Sequence, residues 1–442
     1  MRAPKPLFQI CEAIESYLMS VTSGSDSRRI VVVGAGIVGL SIALRLQLEG
    51  YQITLIDQND PMTGCSAGNA GYFSEANIFP PATPDLLRQL PKLLFSKDGP
   101  LVIKPAYLNR MIPWSMRAVN VLKPAPYAKV MSALSSLIIR SQDSINQLAG
   151  ATGAAHLITR NGGLHVYRSE AAFKAKLQAL PYWEKHGISV KILNGADARA
   201  LEPALADNVI GGLYFPESGR CSDPKELGLH YFRYLLQNGA QFLQSAFLGV
   251  ETDLNSILQV VLPGQRLSAA KVVMATGHST DRLLQRHGFK SALVAERGYH
   301  LMMSEPGVSL SRPVVFGEAY FAATPMDKGL RFAGTAEFCR PDAPPNMQRS
   351  HMLQQLAKQY IPGLTAAPGQ PWMGVRPSLP DGLPAIGKVA SQPGLFYAFG
   401  HAHNGLTTSA ITAQCVSSLI DGREPPIDIK PFDYNRFSHS AN

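Results

Sequence analysis

The stretch Gly34-Ala35-Gly36-Ile37-Val38-Gly39 carries three glycines at the spacing that lets backbone N–H groups close on a diphosphate. Gly34 allows a tight turn, Gly36 lets the main chain approach a phosphate, and Gly39 lets a helix pack on a strand. Asp57, eighteen residues beyond Gly39, stands where a carboxylate accepts ribose hydroxyls. A second stretch, "YAFGHAHNGLTTSA" at 397–410, sets His401 and His403 between Gly400 and Gly405, just ahead of an apolar run. Two chemistries suit it. The imidazoles can ligate a metal, given at least one more convergent ligand, or the backbone N–H groups of a helix start can stabilise negative charge.

The elements that must hold these residues are visible in the pattern. Ile30–Val33 is a β-branched run before the glycine turn, an apolar helix follows to Leu48, and Ile53–Ile56 forms the next strand. Strand, glycine turn, helix, strand and acid in sequence make a dinucleotide-binding unit. Further on, "LITRNGGLHVYRS" predicts strands around an Asn161-Gly162-Gly163 turn, and residues 170–187 predict helix. A helix capped near Ser222–Asp223 precedes a strand meander, and "LSAAKVVMATG" predicts a buried parallel strand delivering Thr276-Gly277 to a loop. "TTSAITAQCVSSLIDG" predicts a closing helix stopped at Gly422. Alternating β and α at both ends, with strand-rich insertions between, predicts an α/β fold with a Rossmann-type domain assembled from separated segments and a second α+β domain built on a mixed sheet.

Composition excludes several classes. The 442 residues are 45% hydrophobic and 17% charged, ordinary for a globular protein with room for two domains. No run of 18 apolar residues indicates a membrane-spanning helix. Residues 1–27 lack a clean apolar core with a cleavage site, so they are expected to be a short amphipathic helix or an irregular extension. Cys11, Cys65, Cys221, Cys339 and Cys415 are odd in number and unclustered, which points to a reducing, cytoplasmic compartment. The net charge is +9, and between Arg88 and Lys129 eight Lys/Arg stand against one acid, Asp98. Mixed with apolar residues, that stretch suits an anionic surface on the inner face of the cytoplasmic membrane, or a solvated basic face. No base-reading motif accompanies the charge, so nucleic acid is not expected.

Residues 29–39, "SAGNAG" at 66–71, "VVMATG" at 272–277, "WMGVRPSLPDGLPAIG" at 372–387 and "FGHAHNGLTTSA" at 399–410 together resemble the FAD-dependent D-amino-acid oxidase superfamily. That group includes glycine oxidase, sarcosine oxidase and the bacterial D-amino-acid dehydrogenase small subunit. "SAGNAGYFS", "KLLFSKDGPLVIKP" and "GLRFAGTAEF" point to the dehydrogenase branch. The resemblance runs from Arg28 to Phe437. It implies that Val33, Gly34, Ala35, Gly36, Ile37, Val38 and Gly39, with Asp57 and Gln58, hold the diphosphate and adenosine ribose of FAD. Ser66, Asn69 and Gly71 would lie along the flavin, Val250 would meet adenine through its backbone, and Gly277 would approach the diphosphate. It also answers the histidine question. Gly400, Asn404, Gly405, Leu406 and Thr407 would bring backbone N–H groups to the flavin edge, His401 would be structural, and no metal is implied.

In the same resemblance Arg376 pairs with a substrate carboxylate, a task for a guanidinium fork, and Tyr320 adds a hydroxyl. The place of the cysteine that binds flavin covalently in some relatives falls near Gly374, so FAD is expected to be non-covalent. The implied reaction is oxidative deamination of D-amino acids by hydride transfer from Cα to flavin N5, with electrons passed to a quinone or other carrier. The alternatives are an oxidase or dehydrogenase of glycine, sarcosine, D-proline or other secondary amines, a non-catalytic FAD-binding subunit, and an NAD-dependent dehydrogenase. Segments 28–85, 190–290 and 370–442 are assigned to the FAD-binding domain, and 86–189 and 291–369 to the substrate domain.

Overall fold

The β-branched run that opens the chain's dinucleotide unit becomes β1 (Arg29–Val33), the centre of a six-stranded sheet. Its order is β10 (Gln241–Gln244), β2 (Gln52–Asp57), β1, β14 (Lys271–Met274), β21 (Leu395–Phe399) and β20 (Ala385–Lys388), parallel except for β20. The computed structural model describes residues 28–84, 87–88, 99–254, 257–285 and 292–437. The extension at 1–27, with Cys11, and the 89–98 part of the basic stretch lie outside them.

Strand alternation divides the apolar residues between two cores. Ile30, Val32, Leu55 and Val273 face α1 (Ile37–Leu48) and α7 (Gly405–Asp421), the long apolar helices that follow the two glycine loops. Val31, Val33, Val272 and Met274 face the meander β11 (Gly249–Thr252), β12 (Leu258–Leu262) and β13 (Gln265–Ala269). Buried on nearly every side, α7 carries no charged residue before Asp421, and its buried polar side chains are hydroxyls of Ser and Thr. Gly422, at φ 67°, stops it as expected.

A nine-stranded sheet forms the second layer, in the order β19 (Gln370–Ser378), β15 (Val294–Met303), β18 (Gly329–Phe338), β17 (Phe321–Met326), β16 (Val314–Phe316), β6 (Gly163–Tyr167), β8 (Gly211–Phe215), β7 (Lys191–Asn194). A short β4 (Leu101–Ile103) pairs beside β18, and α6 (Gln348–Lys358) packs on β15 and β18. A small sheet of β3 (Tyr72–Phe73), β9 (Gly219–Cys221) and β5 (Ile158–Thr159) lies at the junction. There β19 reaches across, its Ser378 bridging to His401 of the second glycine loop.

Two segment boundaries differ from expectation. β7 and β8, assigned from sequence to the FAD-binding segments, join the nine-stranded sheet, β8 antiparallel to β6 and β7 antiparallel to β8. Hydrophobic period identifies a strand but not its partner, and the ladder decides. Conversely α3 (Pro124–Ile138) and α4 (Ser141–Ala151), assigned to the substrate segments, pack on α7 beside the six-stranded sheet. Just before them, α2 (Leu108–Asn120) packs Met111 and Trp114 on the start of β15 and the end of β18.

Candidate functional site

Two cavities meet between the sheets. The first, of about 440 Å³, is a cleft lined by Val33 to Val38, Asp57, Gln58, Cys65, Ser66, Gly277 and His401. Gly34 (φ 108°) turns the chain off β1 so tightly that a Cβ would lie 2.4 Å from the Ala275 carbonyl oxygen. Gly39 does not line the cleft; a Cβ there would sit 1.8 Å from the Gly34 oxygen, so its hydrogen lets α1 lie against the turn. Asp57 accepts from Ala35 N–H at 2.8 Å and Asn59 N–H at 2.9 Å, which fixes its carboxylate at the strand end. Each oxygen keeps lone-pair capacity for a ribose hydroxyl.

The start of α1 has no acidic residue in its first turn and no side chain capping it from Gly36, and Ile37 N–H reaches the Ser66 hydroxyl at 3.2 Å. Unclaimed N–H groups with a helix dipole behind them suit a diphosphate. The donor set therefore fits a dinucleotide. Val250, expected to meet adenine through its backbone, pairs with Val260 in the first strand of the meander with its side chain in the core, while Ser245 and Phe247, just ahead of it, line the cleft.

The second cavity, of about 290 Å³, shares Cys65, Ser66, Trp372, Gly374, Ala402 and Gly405 with the first, so the two form one elongated chamber. Two joined lobes suit a flavin dinucleotide, with room for one end of the molecule in each. Cys65, expected to be a packing residue, lines both, and burial pushes its thiol up, away from the reactive thiolate. Asn69, Asn404, Gly405 and Leu406 line the second cavity at the entrance to α7, whose first turn also lacks an acid. Gly71, Gly400 and Thr407 do not line either cavity. Gly71 N–H donates to the Asn69 side-chain oxygen at 2.9 Å, and Gly400 (φ 79°) turns the loop.

The two histidines part company. His401 is buried, its Nε2 3.1 Å from the Thr412 hydroxyl of α7, and burial lowers its pKa to about 3. His403 faces the cavity. Among the described residues no group of three His, Cys, Asp or Glu converges on a metal position.

Arg376 lies on β19 directly across from Glu296 on β15. Its Nη1 donates to Glu296 Oε1 at 2.7 Å, while the Ser378 hydroxyl donates to Oε2 at 2.6 Å. Burial works against the Glu296 charge, but the guanidinium and these hydrogen bonds hold the carboxyl below the usual glutamate range. Gly298 lies under the guanidinium, where a Cβ would fall 2.1 Å from a nitrogen. Desolvation and then the Arg376 charge lower the pKa of His403, keeping it neutral. Tyr320 lines the same cavity from a left-handed turn residue (φ 56°) just before β17, rather than from within the strand. Beyond it, Tyr72 Oη lies 3.3 Å from Nε2 of His165, whose pKa burial lowers to about 3.

Glu296, Ser378, Gly298 and His165 had no signal in the sequence. Glu296 and Arg376 are 80 residues apart and meet only through the β15–β19 register.

The chain belongs to the family of FAD dependent oxidoreductases designated DAO, whose model matches residues 29–419. FAD is its cofactor and oxidoreduction its chemistry. It is 32% identical over 422 residues to a D-amino-acid oxidase of Bradyrhizobium diazoefficiens, covering 93% of this chain and 99% of that protein. A D-amino acid dehydrogenase of Rhizobium johnstonii is 28% identical over 92% of this chain and all of its own length, 100%. The fold is shared with glycine oxidase from Geobacillus kaustophilus, at a TM-score of 0.73 and 21% identity, over 92% of this chain and 99% of that one.

Proposed function

We propose that the protein oxidatively deaminates D-amino acids to 2-oxo acids and ammonia and passes the electrons to a quinone or another carrier. The observation that carries this reading is the Arg376 guanidinium, held by Glu296 in a cavity continuous with the dinucleotide cleft. The names of the two curated relatives support the substrate class.

In this reading Val33 to Val38, Asp57, Gln58, Ser66 and Gly277 hold the dinucleotide without a covalent bond, and the N–H groups of Asn404 to Leu406 face its reactive end. When bound, FAD supplies the acceptor for the hydride that leaves Cα. Arg376 binds the substrate carboxylate with the part of its fork that Glu296 leaves open, and the Tyr320 hydroxyl completes the contact. A neutral His403 leaves the guanidinium as the cation on that wall. The α7 entrance stabilises the negative charge that accumulates opposite it. Orientation and charge stabilisation thus do most of the catalysis, and water hydrolyses the released imine.

The test is anaerobic bleaching of the yellow holoenzyme by a panel of D- and L-amino acids, glycine and secondary amines. D-amino acids should bleach it fastest, and Arg376→Leu should stay yellow yet lose kcat/KM by about 10³-fold, the cost of two charge-assisted hydrogen bonds. A chain that binds FAD but is bleached by none of them is a binding subunit instead. Quinone reduction measured against hydrogen peroxide release identifies the acceptor.

A further inference from the structure

One face of the nine-stranded sheet floors the second cavity, and a single cross-strand row runs along it. His165 of β6 pairs with Val315 of β16, Val315 with Ala322 of β17, and Ala322 with Ala333 of β18. Ala333 then pairs with His300 of β15, and His300 with Trp372 of β19. Their chain neighbours Leu164, Val314, Ala323, Phe332 and Leu301 are buried in the core on the other face, so the row points to the chamber. The stacked His300–Trp372 pair closes one end of the row and His165 the other. Between them Val315, Ala322 and Ala333 leave a floor of small side chains over two strand spacings, about 10 Å.

The Arg376 guanidinium stands over Gly298, two residues along β15 from His300, so a carboxylate bound there lies beside the His300 end of this trough. We propose that an anchored substrate lays its side chain along the trough, and that the preferred substrates are D-amino acids with large, uncharged aromatic side chains. This rests on the reading of Arg376 as the carboxylate anchor. A hydroxyphenyl or indolyl group matches the bare span, whereas the methyl group of alanine leaves most of it to water. Burying a ring against Val315, Ala322 and Ala333 is a gain that the methyl group cannot make. Arg376 is the one Lys, Arg, Asp or Glu among the described residues that line this cavity. A basic or acidic side chain would therefore enter without a counter-charge of its own.

His165 gives the far end a hydrogen-bonding group. It is 7% exposed, its Nε2 lies 3.3 Å from the Tyr72 hydroxyl, and its Nδ1 has no partner among the described residues. Burial keeps the imidazole neutral, so one ring nitrogen donates and the other accepts. A phenol at the end of the trough would meet this group directly or through one water.

Non-reacting carboxylates read the trough without turnover. Propionate, hydrocinnamate and para-hydroxyhydrocinnamate are titrated into the FAD-loaded full chain, and binding is followed by the shift of the flavin absorption bands. Affinity should rise at least about tenfold from propionate to hydrocinnamate, and about threefold more with the hydroxyl. Ala322→Phe fills the middle of the trough, and its bound FAD reports that it has folded. It should lower the ratio of hydrocinnamate to propionate affinity at least about tenfold. Equal affinity for the three acids in the wild type overturns the proposal, as does an unchanged ratio in Ala322→Phe. Bleaching separates this result from the reaction. If the acids bind in the expected order but no D-amino acid bleaches the flavin, the trough stands and oxidative deamination fails. If D-alanine and D-tyrosine bleach it with equal kcat/KM, deamination stands and the trough fails.

Discussion

Arg376 and Glu296 face each other across two antiparallel strands, Nη1 to Oε1 at 2.7 Å, so part of the guanidinium fork is already committed before any ligand arrives. The pairing lowers the conformational freedom of a long side chain and offsets the cost of holding its charge in a desolvated wall. Glu296→Gln keeps the shape and removes the charge. It should lower kcat/KM by about ten- to a hundredfold, mostly through KM, as the arginine loses its fixed orientation. Because the Glu296 pKa is depressed in the folded protein, its stabilisation is present above the ordinary glutamate range and is lost as pH falls through the folded value. Thermal melts should therefore show the wild type losing its advantage over Glu296→Gln under acid conditions, and not under alkaline ones.

Two glycines separate activity from folding. A Cβ at Gly298 meets only the far end of the Arg376 side chain, at 2.1 Å, which can swing away at little cost to the fold. Gly298→Ala should keep its melting temperature and FAD content while kcat/KM falls by about tenfold or more, because the guanidinium is displaced by about an ångström. At Gly34 the obstacle is backbone, the Ala275 oxygen at 2.4 Å, and φ is 108°. Gly34→Ala adds backbone strain of about 1–3 kcal/mol to that clash. Its melting temperature and its bound FAD should fall together.

Glu75 is a buried carboxyl near the cavity, and one of its oxygens has no partner among the described residues. Burial first, then the charge of Glu217, raises its pKa from 4.5 to about 7. The folded state thus binds a proton that the unfolded chain releases, so stability falls as pH rises from 4.5 to about 7 and is level above. Glu75→Gln should stabilise the protein at alkaline pH, by at most about 3 kcal/mol, and leave it unchanged near pH 4. Denaturant unfolding at the two pH values measures this.

What sequence could show was what neighbouring residues decide together. The turn at Gly34–Gly39, the carboxylate at Asp57 and the loop at Gly400–Leu406 were legible because strand, turn and helix lie within a short span. The Arg376 anchor was legible only through family resemblance, and its partner Glu296 not at all, since their meeting depends on the register of two strands 80 residues apart. The fates of His401 and His403 needed the fold: one rotates into α7, the other into the chamber.

The indole of Trp372 stands at the junction of the two cavities, stacked on His300 with ring centres 4.8 Å apart. The chain's other two tryptophans are Trp183, fully buried in a core, and Trp114, on the inner face of α2. Their surroundings are distinct enough for each to serve as a separate optical probe. Quenching of Trp372 emission would follow cofactor loading in real time, with the Trp183 and Trp114 signals as internal references in one unlabelled sample.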